Sequence, residues 1–503
     1  MDILLALLPI LLLIVLMAVL KQPGDRSSVI TLIITALTAI FGFGFSFHDT
    51  AFTFLYGAVK AISPILIIIL MAIFSYNTLL LTGKMDVIKQ QFSSISTDRS
   101  VQVLLLTWGF GGLLEAMAGF GTAVAIPAAI LISLGYKPVF AAVACLIANS
   151  VATAFGAIGT PVIVLATETG LPVNALSSNV VLQLAPLMFI IPFILVFMAD
   201  HRKEALVKNI VLSVVVGGVS LVGQYMAASM MGAESPAIIG SLLSILVIVV
   251  AAKILKKKED NDKGAVKSSF TELLKAWSVY LLILFLVIIT SPLFPTIRKV
   301  LDGCLITTLN FPVESIKSYE IHWLTHAGLL LFIGTFIGGL IQGATVKALF
   351  QTLWKTVKML KKTIITVVCL VGFSTIMDYA GMITVIASGL AAATGSFYPL
   401  FAPFVGGLGT FITGSDTSAN ILFGKMQATV AGHIGAPSEW LSAANTVGAT
   451  GGKIISPQSI AIATSACGQQ GKEGSILKSA FPYALLYIVV SGLMVYFCAT
   501  LAK

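Results

Sequence analysis

Three ionisable residues stand inside strongly apolar stretches of the chain. Glu115 lies among Leu113, Leu114, Ala116 and Met117, Asp416 lies within Gly414-Ser415-Asp416-Thr417-Ser418, and Lys453 precedes Ile454-Ile455-Ser456-Pro457. A charge at the centre of a bilayer costs about 2.5–3.5 kcal/mol on insertion scales, so each needs a reason to be there. A carboxyl group can take up and release a proton, and an ammonium group can pair with a carboxylate. Glu115 is therefore the first candidate for proton coupling. Asp416 suits either a helix cap or a second coupling site. Lys453 suits either a substrate carboxylate or a salt bridge to Glu115 or Asp416. Hydroxyl and amide groups near them, on Thr122, Asn149, Ser415, Thr417 and Asn445, are of the kind that would hydrogen-bond a small carboxylate. Asp378 and Lys425 are lesser candidates near span ends.

These residues share a local setting. Ala118 to Thr122, Thr413 to Ser418, Ala154 to Pro161 and Thr450 to Pro457 are Gly-, Pro- and hydroxyl-rich interruptions of apolar sequence. Broken helices expose backbone groups, which a bilayer tolerates only where they are buried in protein or line a cavity. Each restart turns amide groups and the positive end of a helix dipole toward the break, which suits an anion. The same hydroxyl-rich turns would also serve as plain N-caps.

The elements that carry the breaks are membrane spans. Of 503 residues 57% are hydrophobic and 10% charged, against about 25% charged in soluble chains. Apolar runs long enough to cross ~30 Å of hydrocarbon recur throughout. Crossings are expected at about 3–20, 28–47, 61–81, 139–167, 179–199, 207–231, 236–255, 270–291, 323–343, 364–380, 438–466 and 479–500. Segments at about 101–135 and 400–430 turn in their middles and are expected as re-entrant hairpins. The fold class is thus an all-α polytopic membrane protein with about 12 transmembrane helices and two hairpins. Leu4 to Leu20 is expected to be a retained span, since Asp2 stands where a signal peptide is basic. The basic loops at 21–26, 84–99, 201–208, 253–267 and 347–362 fall on one side of this map and are expected in the cytoplasm, with both termini outside. The loop Ser291 to Ile321 comes out external although it carries Arg298, Lys299 and Lys317, balanced there by Asp302, Glu314 and Glu320.

Gly111-Gly112-Leu113 … Gly119 … Thr122 … Ile126 recurs as Gly406-Gly407-Leu408 … Gly414 … Thr417 … Ile421 at an offset of 295. Ala148-Asn149-Ser150-Val151 … Gly156 … Ile158 … Pro161 recurs as Ala444-Asn445-Thr446-Val447 … Gly452 … Ile454 … Pro457 at 296. Small-residue bias in membrane helices does not account for matched Asn, Thr and Pro. The loop map gives the copies opposite orientations, as in transporters with inverted repeats. The expected division is repeat 1 over 1–205, a linking helix pair and basic cytoplasmic loop over 206–269, and repeat 2 over 270–503.

Other readings fail on residue detail. The net charge of +9 resides in short loops and does not indicate a nucleic-acid partner. Gly448-Ala-Thr-Gly-Gly-Lys453 lacks the first Gly and the final Ser/Thr of a phosphate loop. The glycines of Gly109-Phe-Gly-Gly follow no soluble strand, so they make no dinucleotide fingerprint. His322 and His326, beside Trp323, suit an interfacial anchor better than a metal site. The five cysteines are scattered and suggest neither disulfides nor a cluster.

Leu113-Leu-Glu-Ala-Met-Ala-Gly-Phe-Gly-Thr-Ala-Val-Ala-Ile-Pro127, Ala154-Phe-Gly-Ala-Ile-Gly-Thr-Pro161, Thr413-Gly-Ser-Asp-Thr-Ser-Ala-Asn420, Gly452-Lys-Ile-Ile-Ser-Pro-Gln-Ser-Ile460 and Gly471-Lys-Glu-Gly474 resemble the L-lactate permease family. The resemblance covers most of the chain and departs from the pattern at Ala116-Met117 and Lys425. It implies an elevator-like ion-transporter architecture in a bacterial inner membrane and proton symport of L-lactate, with D-lactate and glycolate as related substrates. It implies no cofactor beyond the co-transported proton, membrane lipid as the surroundings, and leaves room for a homo-oligomer. The rival readings are a sodium-coupled carboxylate carrier of the same architecture and, more remotely, a membrane-embedded enzyme, for which no nucleophile–base pair is visible.

Overall fold

Proline, glycine and the need of each backbone group for a partner set where the helices of this chain stop. The computed structural model describes residues 2–20, 22–93, 95–119, 121–255, 269–314, 316, 318–469 and 472–501. Lys21, Phe120, the basic run from Lys256 to Lys267, Lys317 and Gly471 lie outside the described residues. The chain begins with α1 (Asp2–Ile14), which widens into a π-helical turn, and α2 (Gly24–Phe43). Helices α3 (Phe47–Lys60) and α4 (Ile67–Leu81) form one apolar stretch broken at Ser63-Pro64. Pro64 offers no N–H and drives Ser63 out of the helical region, to φ −123 and ψ 120. After the short amphipathic α5 (Lys84–Ser93), α6 (Arg99–Val103) runs through a π-helical stretch into α7 (Gly112–Met117). The chain turns on Gly119 and Gly121, both at positive φ, into α8 (Thr122–Ser133). Next come α9 (Pro138–Thr153) and α10 (Gly156–Thr169), bent by 48° at their junction, then the long α11 (Val173–Ala199). The antiparallel pair α12 (Leu206–Met231) and α13 (Pro236–Leu255) closes the first half.

The second half opens with α14 (Phe270–Ile289) and the short α15 (Pro295–Asp302). Strands β1 (Ile306–Leu309) and β2 (Tyr319–His322) pair antiparallel, Ile306 opposite His322, and are the sheet found among the described residues. Then follow α16 (Ala327–Ile341), the amphipathic α17 (Val346–Met359), α18 (Lys361–Tyr379) and α19 (Met382–Thr394). Helices α20 (Tyr398–Thr413) and α21 (Asp416–Ile434) turn on Gly414, at φ 72. The chain ends with α22 (Ser438–Lys453), α23 (Pro457–Ala466) and α24 (Glu473–Leu501).

The protein is an all-α polytopic membrane protein. Ten helical stretches are long and apolar enough to cross a bilayer, or eleven when the bent α9–α10 pair is counted as one span. That is fewer than the twelve or so expected, for local reasons. The first apolar helix, Asp2–Met17, and α16 are too short to qualify, and α22 with α23 is too rich in Gly, Ser and Thr. Helix α19 and the amphipathic α15 and α17 were not anticipated. In the stretch Arg99–Met117, 94% of the residues are buried, against 28–33% in Pro236–Leu255, Phe270–Ile289 and Glu473–Ala499. The former is therefore sheathed in protein while the latter face lipid.

Helices α20 and α22 pack backbone to backbone. A Cβ on Gly448 would run into the Pro403 carbonyl, and one on Gly452 into the Gly407 carbonyl. Small residues are what permit so close an approach. Beside this contact lies a buried polar network. Asn420 Oδ1 accepts from Asn445 Nδ2 (2.9 Å) and from the Thr446 hydroxyl (3.1 Å), and Asn420 Nδ2 donates to the Pro161 carbonyl of α10 (2.9 Å).

Candidate substrate site

The four helix interruptions meet around one cavity of about 90 Å³, lined by Glu115, Asn149, Thr160, Asp416, Lys453 and Gln458 together with small residues of the turns. At ~30 Å³ per water in the liquid, that is the volume of about three waters. Gly121 before α8, Thr160 in α10, Asp416 at the start of α21 and Gln458 at the start of α23 all border it. In α10 the regular helix resumes only at Thr160, because Ala157, Ile158 and Gly159 take left-handed conformations at φ 44, 56 and 73. Four helix N-termini thus border one small space, and first-turn amides have no intrahelical acceptor, although the Ser418 and Ser459 N–H groups are capped by Ser415 and Ser456.

The charged groups enter from helix ends of both signs. Lys453 is the last residue of α22, where the negative end of the helix dipole favours an ammonium group. Its Nζ lies 3.2 Å from Glu115 Oε1 of α7, and the side chains are 17% and 2% exposed. Glu115 Oε2 is without a hydrogen-bond partner among the described residues, and so is Asp416 Oδ2. Asp416 Oδ1 accepts from the Thr410 hydroxyl at 3.2 Å. A buried polar atom left unpaired costs about 1–3 kcal/mol, so these two oxygens are natural places for a proton, a water or a substrate group.

Of the residues named from sequence, Glu115, Asn149, Ser415, Asp416, Thr417 and Lys453 come together on the cavity wall. Asn149 Nδ2 donates to Thr153 Oγ1 at 3.2 Å, while its Oδ1 has no partner among the described residues. The Ser415 hydroxyl caps α21, accepting from the Ser418 N–H at 3.3 Å. Two of the named residues lie elsewhere. Thr122 does not line the cavity, and its hydroxyl is spent on the Gly119 carbonyl at 2.9 Å. Asn445 is fully buried away from the cavity, its Nδ2 held by Asn420 and Ala419 and its Oδ1 by Gln427. Thr160, Gln458 and Ser459 border the cavity although sequence reasoning did not name them. Their position directly after a break was the available signal. Asp378 and Lys425 pair with each other at 3.6 Å, apart from this cavity.

A helical membrane protein whose broken helices converge on a small cavity that holds ionisable side chains has the architecture of a carrier. The chain belongs to the L-lactate permease family, whose model matches residues 2–502. It is 44% identical to an L-lactate permease of Streptococcus iniae over 439 residues, covering 87% of this chain and 93% of that one. It is 34% identical to the glycolate permease GlcA of Escherichia coli K12 (98% and 94% covered) and 32% identical to an L-lactate permease of Bacillus subtilis 168 (96% and 93%). Among solved structures it resembles the YdaH transporter of Alcanivorax borkumensis, with TM-score 0.51, 14% identity, and 90% and 88% of the chains covered. It also resembles MtrF of Neisseria gonorrhoeae, with TM-score 0.52, 13% identity and 95% of each chain covered. These two likenesses concern the fold alone. The protein is a transporter and not an enzyme.

Proposed function

We propose that this protein carries L-lactate and related small 2-hydroxy acids, such as D-lactate and glycolate, across the cytoplasmic membrane together with a proton. The observation that carries the reading is a small cavity ringed by helix N-termini and holding Glu115, Asp416 and Lys453, with two carboxylate oxygens unpartnered. With both acids ionised and Lys453 protonated, the cavity carries one net negative charge. An arriving carboxylate doubles that charge unless a proton accompanies it. A proton on Glu115 or Asp416 returns the loaded site to the charge of the empty one. Moving a neutral pair also avoids about 2.3 kcal/mol per charge in a field of 100 mV. Asn149 and Thr417 supply polar contacts to the acid, Lys453 and the α21 and α23 N-termini offset its charge, and Ser415 holds the α21 turn in place.

In this reading the chain consists of inverted repeats, 1–205 and 270–503, joined by 206–269. Segments α6–α8 and α20–α21 are re-entrant hairpins, and an elevator-like shift of the hairpin-bearing bundle switches access. Proteoliposomes with an inward proton gradient and no sodium should accumulate radiolabelled L-lactate, with glycolate competing. Glu115→Gln should abolish that accumulation while lactate counterflow persists. Accumulation that requires sodium would favour the sodium-coupled alternative.

A further inference from the structure

Four more ionisable side chains lie in α10 and α21, which border the cavity, and in the neighbouring α3 and α18. Lys60 ends α3, Glu168 and Asp378 stand one residue before the ends of α10 and α18, and Lys425 lies within α21. Lys60 Nζ is 3.2 Å from Glu168 Oε1, with side chains 8% and 3% exposed. Glu168 Oε1 has no aligned donor, so this is an ionic contact without hydrogen-bond geometry. Lys425 Nζ is 3.6 Å from Asp378 Oδ2. Each acid also lies within electrostatic reach of the other lysine, Glu168 of Lys425 and Asp378 of Lys60. The Lys60–Glu168 pair is buried whereas Lys425 and Asp378 are 32% and 31% exposed, and a static buried pair is often no better than an apolar one.

The four residues belong to two tightly packed helix pairs. In one, α3 meets α18 where Gly57 would place a Cβ 2.9 Å from Gly372 Cα. In the other, α10 meets α21 where Leu165 fills the space over Gly424 and Asn420 holds the Pro161 carbonyl. Both ion pairs therefore cross the seam between the pairs, and each side contributes one cation and one anion. The seam is crossed as well by a hydrogen bond from the Ser374 hydroxyl to the Ile421 carbonyl at 2.8 Å. From Thr160 to Glu168 and from Thr417 to Lys425 is eight residues of helix, about 12 Å. The quartet sits at the end of α18 remote from Lys361 and Lys362, hence toward the outer face.

We propose that Lys60, Glu168, Asp378 and Lys425 form a partner-exchanging gate on the outer side of the cavity. With the gate shut, the pairs are Lys60–Glu168 and Asp378–Lys425, across the seam. When α10 and α21 move away from α3 and α18, the pairs become Lys60–Asp378 and Glu168–Lys425, within each side. No charge is left unpaired in either state, so the seam can part without stranding an ion in the bilayer. This rests on the transport reading above.

Charge inversion tests it. Lys60→Glu combined with Glu168→Lys preserves the shut pairing but makes both open pairs repulsive, acid facing Asp378 and lysine facing Lys425. Lactate uptake into proteoliposomes should fall about ten-fold or more. Adding Asp378→Lys and Lys425→Asp restores opposite charges in both states and should restore uptake. Uptake by the double variant at the wild-type rate overturns the gate, because transport would then not depend on the charges that pair in the open state. Wild-type protein that neither takes up lactate nor is thermally stabilised by it overturns the transport reading instead. If the double variant does not purify as a monodisperse species, K60C/E168C in a background with the native cysteines replaced decides the matter. Joining that pair with a cleavable bifunctional thiol reagent should stop uptake and cleavage should restore it, while undiminished uptake in fully joined protein overturns the gate.

Discussion

Glu115 and Lys453 hold each other at 3.2 Å across 338 residues of sequence, and neither is easily removed alone. Lys453→Met would leave the Glu115 carboxylate buried beside Asp416 without its cation, which costs about 3–5 kcal/mol. Glu115→Gln together with Lys453→Met removes both charges and should cost much less. Thermal unfolding of the purified variants, read as a double-mutant cycle, checks this. A destabilisation of the double variant equal to the sum of the two single variants would show that the pair contributes nothing to folding. The sequence disclosed both residues because a charge amid leucines and glycines is conspicuous. It did not disclose how they divide their roles, since the salt bridge and the substrate contact draw on the same ammonium group. Asn149 and Asn445 occupy matched motifs, yet only Asn149 faces the cavity. What separates them is Asn420 and Gln427 on a neighbouring helix, which tertiary packing alone brings to Asn445.

At the scale of helices, the breaks were legible and the packing was not. Pro161, Pro457 and the Gly-rich turns announce interruptions through local chemistry that any window of sequence contains, whereas the break at Ser63-Pro64 lies in a stretch expected as an unbroken crossing. Helix α19, a short Ala-, Gly- and Thr-containing segment, carries no such mark and falls below the length of a span. Lys60 reads locally as a cation near the start of a span, and its partner Glu168 is over a hundred residues away. The α20–α22 contact gives a clear prediction. Gly448→Val should prevent these helices from closing against the Pro403 carbonyl and should sharply lower the yield of monodisperse protein. Gly432→Ala on α21, where an added Cβ meets nothing within 4 Å, is the control expected to behave as wild type.

Across the whole molecule, charge is sorted by position. Outside the spans, the Arg202 guanidinium bonds both oxygens of Asp200 at 2.8 and 2.7 Å and holds that carboxyl down at about 2, from an ordinary 3.8. Asn209 Nδ2 donates to the Asp200 carbonyl and Asn209 Oδ1 accepts from Ser100, so this corner fastens α11 and α12 to the base of α6. A lowered carboxyl contributes stability above its unfolded pKa and loses it as pH falls toward the folded one. Acidification from about pH 4 to about 2 should therefore loosen this corner, and hydrogen exchange at residues 200–209 should rise in that window. Asp200→Asn should remove the pH dependence.

The convergence of helix N-termini on the cavity has a consequence for how such a site can change. Under the proposed transport reading, main-chain amides at these N-termini share in holding an anion, and no side-chain replacement deletes them. Lys453, the basic side chain on the described wall, is already engaged by Glu115. Alanine scanning of the wall should accordingly produce graded losses of affinity spread over several positions. Replacements at wall residues such as Gln458 or Asn149 can then reshape which small acid fits while recognition of its carboxylate survives, a route by which substrate preference drifts among descendants without a non-binding intermediate.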